Sequence, residues 1–157
     1  MAEKSIPSFE HLSAAADSLN KATDELKLVV ENLDVAIRRL NVGVSAWVEV
    51  GKWFDEDDPQ SYEIEQVGYS KQGGTWRLTI RRLVGHEQDP GPDKVRDVWT
   101  FNNAPRTLRL RAIEKLPNVL ETLAKQLNHQ TAIVNKKLAE AKLFTISIGL
   151  EVPKVPK

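Results

Sequence analysis

The sequence predicts an α+β fold: a long N-terminal helix, a four-stranded antiparallel meander, a long Pro-kinked C-terminal helix antiparallel to the first, and a C-terminal strand. Three features carry that prediction. Apolar residues recur at alternating spacings of three and four near both ends of the chain, which is the period of a helix. Between them the period drops to two, as in half-buried strands. A Gly73-Gly74 pair separates two of these strands, and glycine supplies the positive φ angles of a two-residue hairpin loop.

The first helix is expected over residues 8–41. Phe9, Leu12, Ala16, Leu19, Leu26, Val30, Leu33, Ile37 and Leu40 form a heptad seam, with polar Thr23 in the remaining layer. Ser8 is placed to cap the helix, because its hydroxyl can accept from an orphan N–H of the first turn. Asn41 and Gly43 suit the left-handed backbone that ends a helix.

From Val44 alternate residues are apolar, and strands are expected at 44–54, 61–71, 75–83 and 95–101. A two-residue Gly73-Gly74 loop sets the hairpin register. It pairs Tyr69 with Leu78, Val67 with Ile80, Ser70 with Arg77 and Gln66 with Arg81, so apolar meets apolar and polar meets polar. Asp55–Gln60 is a turn, and Gly85–Asp93 is a long loop rich in breakers.

A second helix is expected over 104–143, with Asn103 as its cap and Pro105 in its first turn. Its seam is Ile113, Leu116, Leu120, Leu123, Leu127, Val134, Leu138 and Ala141. Pro117 must bend this helix or break it in two, since its ring clashes with the preceding turn. Residues 145–152 alternate again and read as a closing strand. The whole chain, 1–157, reads as a single domain. Setting Leu40 beside Ile113 brings Thr23 level with Gln130–Thr131, so the polar layers of the two seams coincide. A rod of some 32 residues is about 48 Å long, and an eight-residue strand only about 27 Å. The helices therefore outrun the sheet, and their seams either cover it obliquely or seek partners.

Composition narrows the function. The chain has 157 residues, no cysteine and a formal net charge of zero. Disulfides, thiolate nucleophiles and cysteine-based metal centres are excluded. The neutral total hides a division: six basic against fourteen acidic residues up to position 70, and sixteen against eight after it. Internal compensation within the sheet is the reading we favour for this split. The segment Met1–Pro7 lacks the apolar stretch of a signal peptide, and no apolar run is long enough to span a bilayer. A cytoplasmic protein without a membrane partner is expected.

The helix–strands–helix order resembles the general plan of prefoldin-type chaperone subunits. The longer, Trp-bearing strands and the C-terminal strand depart from that plan, and the likeness implies a topology and no site.

No catalytic, metal or cofactor site is expected. His11, His86 and His129 lie far apart in sequence, and Asp55–Asp58 lacks the spacing of a calcium loop. Gly68–Gly73 is one residue too long for a nucleophile elbow and joins two strands. No glycine-rich phosphate loop is present. The candidate binding face is Trp47, Trp53, Tyr62, Arg77, Arg81 and Arg96, where aromatic and guanidinium groups combine as they do in protein hot spots and single-strand platforms. Arg106, Arg109 and Arg111 form a candidate basic patch at a helix start, the wrong end for the helix dipole. The expected function is a non-enzymatic interaction or assembly protein. It forms a homo-oligomer, most simply a dimer, through amphipathic helices and sheet edges, with a further protein partner as an option. Nucleic-acid binding by the Trp/Arg face is one alternative. An enzyme or small-molecule pocket between sheet and helices is another.

Overall fold

The structure, a computed structural model, describes residues 8–156; the Met1–Pro7 segment read above for a leader lies outside them. The first helix, α1 (Phe9–Arg39), begins where Ser8 Oγ accepts a hydrogen bond from the His11 amide at 3.3 Å. It ends before Asn41 and Gly43, which adopt φ of 51° and 63°. Strands β1 (Ala46–Phe54), β2 (Ser61–Gln72), β3 (Thr75–His86) and β4 (Lys94–Thr100) form one antiparallel sheet in chain order. Gly73 and Gly74 close the central hairpin with φ of 54° and 85°, and the pairings Tyr69–Leu78, Val67–Ile80, Ser70–Arg77 and Gln66–Arg81 are all present.

A 3-10 turn, Phe101–Asn103, leads into α2 (Arg106–Ile113) and α3 (Leu116–Ser147). Pro117 accounts for the division. It lacks an N–H and cannot sit inside a continuous helix, so the chain breaks at Glu114–Lys115 and Pro117 falls in the first turn of α3.

Two details of the expected helix differ. Asn103 does not cap α2: its amide donates to Thr100 Oγ1 within the 3-10 turn, and Pro105 occupies the cap position. The strand expected over 145–152 is absent. The helix runs on through Thr145–Ser147, and the hydroxyls of Thr145 and Ser147 donate back to the carbonyls of Ala141 and Phe144. Gly149, at φ 83°, then ends the helix, with the Leu150 amide donating to the Thr145 carbonyl. Seven residues of alternation, Ile146–Val152, next to a strong helical run are too few to specify a strand.

The core lies between one sheet face and the inner ends of the helices. Val67, Tyr69, Leu78 and Ile80 pack with Val30 and Ile37 of α1, Phe101, Leu108 and Ala112, and Leu116, Val119 and Leu123 of α3. The Tyr69 and Trp76 rings stack at 5.8 Å. Ladder pairing between β3 and β4 stops at Thr79–Thr100, so the Leu78 amide lacks a strand partner on that side. Asp34 of α1 accepts from it at 3.1 Å, and Arg38 donates to the Trp76 carbonyl at 3.2 Å. These bonds anchor α1 to the sheet by satisfying backbone groups that would otherwise be orphaned.

The seams are buried only where they meet the sheet. Every residue from Phe9 to Ala22 is exposed, and so is every residue from Asn128 to Phe144. Phe9 is 82%, Leu12 62% and Val134 59% exposed. At 1.5 Å per residue these are bare rods of about 21 and 26 Å.

Candidate functional site

Strand pairing assigns each candidate residue to a face. On the face away from the helices lie Trp47, Tyr62, Arg77 and Arg81. Trp47 rests against Gly68, and Arg81 places its guanidinium 3.8 Å from the indole centre while donating to Gln66 Oε1 at 2.8 Å. Burial lowers the pKa of Arg81. A side chain at Gly68 would run into the Trp47 ring and the Ala46 carbonyl. Gly68→Ala is accordingly expected to cost about 1–3 kcal/mol, read as a lower midpoint in urea unfolding.

Trp53 and Arg96 are not on that face. A bulge between Glu49 and Gly51 shifts the pairing of β1 by one residue, which carries Trp53 to the helix side. A second bulge, opposite Arg82–Leu83, leaves Arg96 as the extra residue of β4, and it bonds Glu63 on the helix side at 3.0 Å. The expected six-residue face is therefore two groups on opposite sides of the sheet.

The helix side gathers a charged cluster that sequence reading did not assemble. Glu65 is buried, 3% exposed, in the middle of β2. Arg82, its register partner on β3, lies 3.2 Å from one Glu65 oxygen, and Arg111 of α2 lies 2.9 Å from the other. Arg82 also reaches Glu63 at 2.7 Å and Asp97 at 3.3 Å. Burial opposes the charge of Arg82, but the carboxylates of Glu65, Glu63 and Asp97 outweigh it and raise its pKa. Trp53 lies 4.9 Å below the Arg111 guanidinium and Trp99 5.4 Å from that of Arg82. Three carboxylates thus meet Arg82, Arg96 and Arg111, and part of the charge division, Glu63 and Glu65 against three arginines of the second half, is compensated inside the fold. The signal was present: extending the hairpin register by two residues beyond Val67–Ile80 pairs Glu65 with Arg82.

The basic patch separates into three environments. Arg111 finds Glu65 and Trp53 within the chain. Arg106 is exposed. Arg109 is only 8% exposed, and its Nε has no hydrogen-bond partner among the described residues.

A cavity of about 470 Å³ opens at the sheet end, between the strands and the 87–93 loop, lined in part by Trp53, Tyr62, His86, Asp93, Lys94 and Arg96. Its acids are engaged by the chain's own donors. Tyr62 donates to Asp93 at 2.5 Å, the Gly91 amide to Asp89 and the Asp57 amide to Asp55. His86 Nε2 lies 3.3 Å from Asp58. Asp58 has a lowered pKa, first because the Ser61 hydroxyl donates to it. Among the described residues no three His, Asp or Glu side chains converge as a metal site, and no helix is long and apolar enough to cross a membrane.

The Tyr62–Asp93 bond raises the phenol's pKa above the ordinary tyrosine value of 10.0. The neutral phenol is favoured in the fold, so this stabilisation holds below pH 10 and is lost as pH rises through the raised value. Asp93→Asn is expected to bring the Tyr62 titration back toward 10, measured by tyrosinate absorbance. Tyr69, raised first by burial, should stay high.

No protein-family model, curated protein or solved structure matches the chain.

Proposed function

We propose that this protein is a non-enzymatic assembly module whose two helical rods self-associate, most simply into a dimer. The observation that carries this reading is the pair of bare seams. A helix of about 15 residues is marginal in water without a packed face. Here two such lengths carry apolar stripes with no cover in their own chain. The total surface supports the same reading. A compact monomer of 17.7 kDa exposes roughly 8,000 Å², whereas this chain exposes 11780 Å². The excess, about 3,800 Å² per chain, is more than the roughly 1,000–2,500 Å² that each partner gives to an obligate interface.

The helices supply this association better than the sheet edges. Both edge strands carry a bulge and basic residues, Lys52 on β1 and Lys94 and Arg96 on β4. These features blunt strand addition. The nucleic-acid alternative draws less support, since Trp47 and Arg81 stack on each other and Trp53 faces Arg111. The cavity at the sheet end gives little to a catalytic reading, because its carboxylates are already bonded within the chain. Light scattering on the purified protein is expected to give a mass of two chains or a larger multiple. A mass of one chain at micromolar concentration would overturn the proposal.

A further inference from the structure

We infer that the partner is a second copy of this chain, and that α1 of each copy lies antiparallel along α3 of the other, closing a four-helix bundle. This arrangement rests on the self-association proposed above and adds to it which helix meets which.

Charge selects the pairing. The projecting part of α1, Phe9–Ala22, carries Glu10 and Asp17 against Lys21, a net charge of −1. The projecting part of α3 carries Lys136, Lys137 and Lys142 against Glu140 alone. Packing α1 on α1, or α3 on α3, brings together rods of the same net charge, while α1 on α3 brings together rods of opposite net charge. The antiparallel alignment that places Thr23 level with Gln130 also places Leu12 level with Ala141, Leu19 with Val134 and Asp17 with Lys136. It brings Glu10 within one residue of the level of Lys142. One alignment thus matches apolar layers, polar layers and charges.

Shape agrees at the far end. After Gly149 the tail lies back along α3 and leaves an apolar groove of about 590 Å³, lined by Leu138, Ala141, Thr145, Val152 and Val155 among others. In the same alignment Phe9 and Leu12 stand at the level of this groove. A Phe9 ring that is 82% exposed is apolar, as the groove is, and small enough to enter it beside Leu12. The ring in question comes from the other copy. Within one chain α1 packs on β3 and the 3-10 turn, and α3 on β1 and β2. The chain's own α3 leaves Phe9–Ala22 uncovered.

The native chain has no cysteine, so introduced thiols report contacts cleanly. Leu12→Cys and Ala141→Cys chains, made separately, differing in tag length and refolded together, are expected to form a disulfide chiefly between unlike chains on mild oxidation. Leu19→Cys with Val134→Cys should do the same, and all four sites are exposed, so neither pair disturbs the core. Dominant self-linking of either single variant, closure of a Leu12→Cys/Ala141→Cys double variant within one chain, or no linkage by either pair in a protein of dimer mass would overturn this arrangement while leaving self-association standing. A one-chain mass for the unmodified protein would remove the underlying reading instead.

Discussion

Leu19→Lys or Val134→Lys is expected to convert the assembly to folded monomers. Neither side chain touches the sheet; Leu19 is 49% and Val134 59% exposed in the single chain. Burial of an aliphatic side chain is worth about 1.5–3 kcal/mol, and a symmetric dimer loses the contact twice. The combined loss, about 4 kcal/mol, corresponds to about a thousandfold weaker Kd. The added ammonium groups would also have to be desolvated, which deepens the effect. Sedimentation velocity reads the change directly. The sheet should survive, because Val67, Tyr69, Leu78 and Ile80 draw their cover from Val30, Ile37, Leu116, Val119 and Leu123. A variant that keeps its mass would mean the seams do not hold the copies together.

Glu65→Ala is expected to destabilise the chain itself, without altering which helices associate. Removing the carboxylate leaves Arg82 beside Glu63 and Asp97 alone, and leaves Arg111 with Trp53 as its remaining neighbour in the cluster. Breaking a buried ion pair from one side costs about 3–5 kcal/mol. Arg111 is nearly half exposed and regains water, so the effect falls at or below the bottom of that range, about 2–3 kcal/mol. For a chain of this size that is a fall in Tm of about 5–10 °C. Arg111→Leu in the Glu65→Ala background should restore part of the loss, because Arg111 is the guanidinium that the single change leaves without a carboxylate among the described residues. An equal loss in the single and double variants would show that packing, and not the stranded charge, sets the effect.

Local chemistry made most of the fold legible. Ser8, Asn41 and Gly43 mark the limits of α1, and Gly73-Gly74 fixes a register that holds over the full length of β2 and β3. The misplacements share one physical cause. Strand alternation assigns faces only while the ladder is unbroken, and each edge strand carries a bulge. Gly51 was the signal in β1, since an isolated glycine in a strand often marks a bulge; its missing Cβ makes room for the Trp53 ring. Nothing comparable marks the shift opposite Arg82–Leu83, and Arg96 was misplaced with it. The polar cluster was partly readable, because the hairpin register already joins Glu65 to Arg82. Arg111 joins them only through the placement of α2, which no period in the sequence encodes. The burial of Arg109 within a run of basic residues is likewise a tertiary fact. At the C-terminus, Ile146–Val152 alternates as a strand would, but those residues follow thirty already in a helix, and Gly149 is a better helix stop than strand residue.

If the rods are satisfied between chains, as proposed, covering their seams and associating are one event, and association adds to the stability of each chain. The dependence of Tm on protein concentration tests this most directly, since any equilibrium in which the partner binds only the folded chain obeys mass action. The expected result is a midpoint that rises steadily with concentration in the native protein and becomes independent of it in Leu19→Lys. A native midpoint unchanged across the same dilution series, at a constant one-chain mass, would contradict the account.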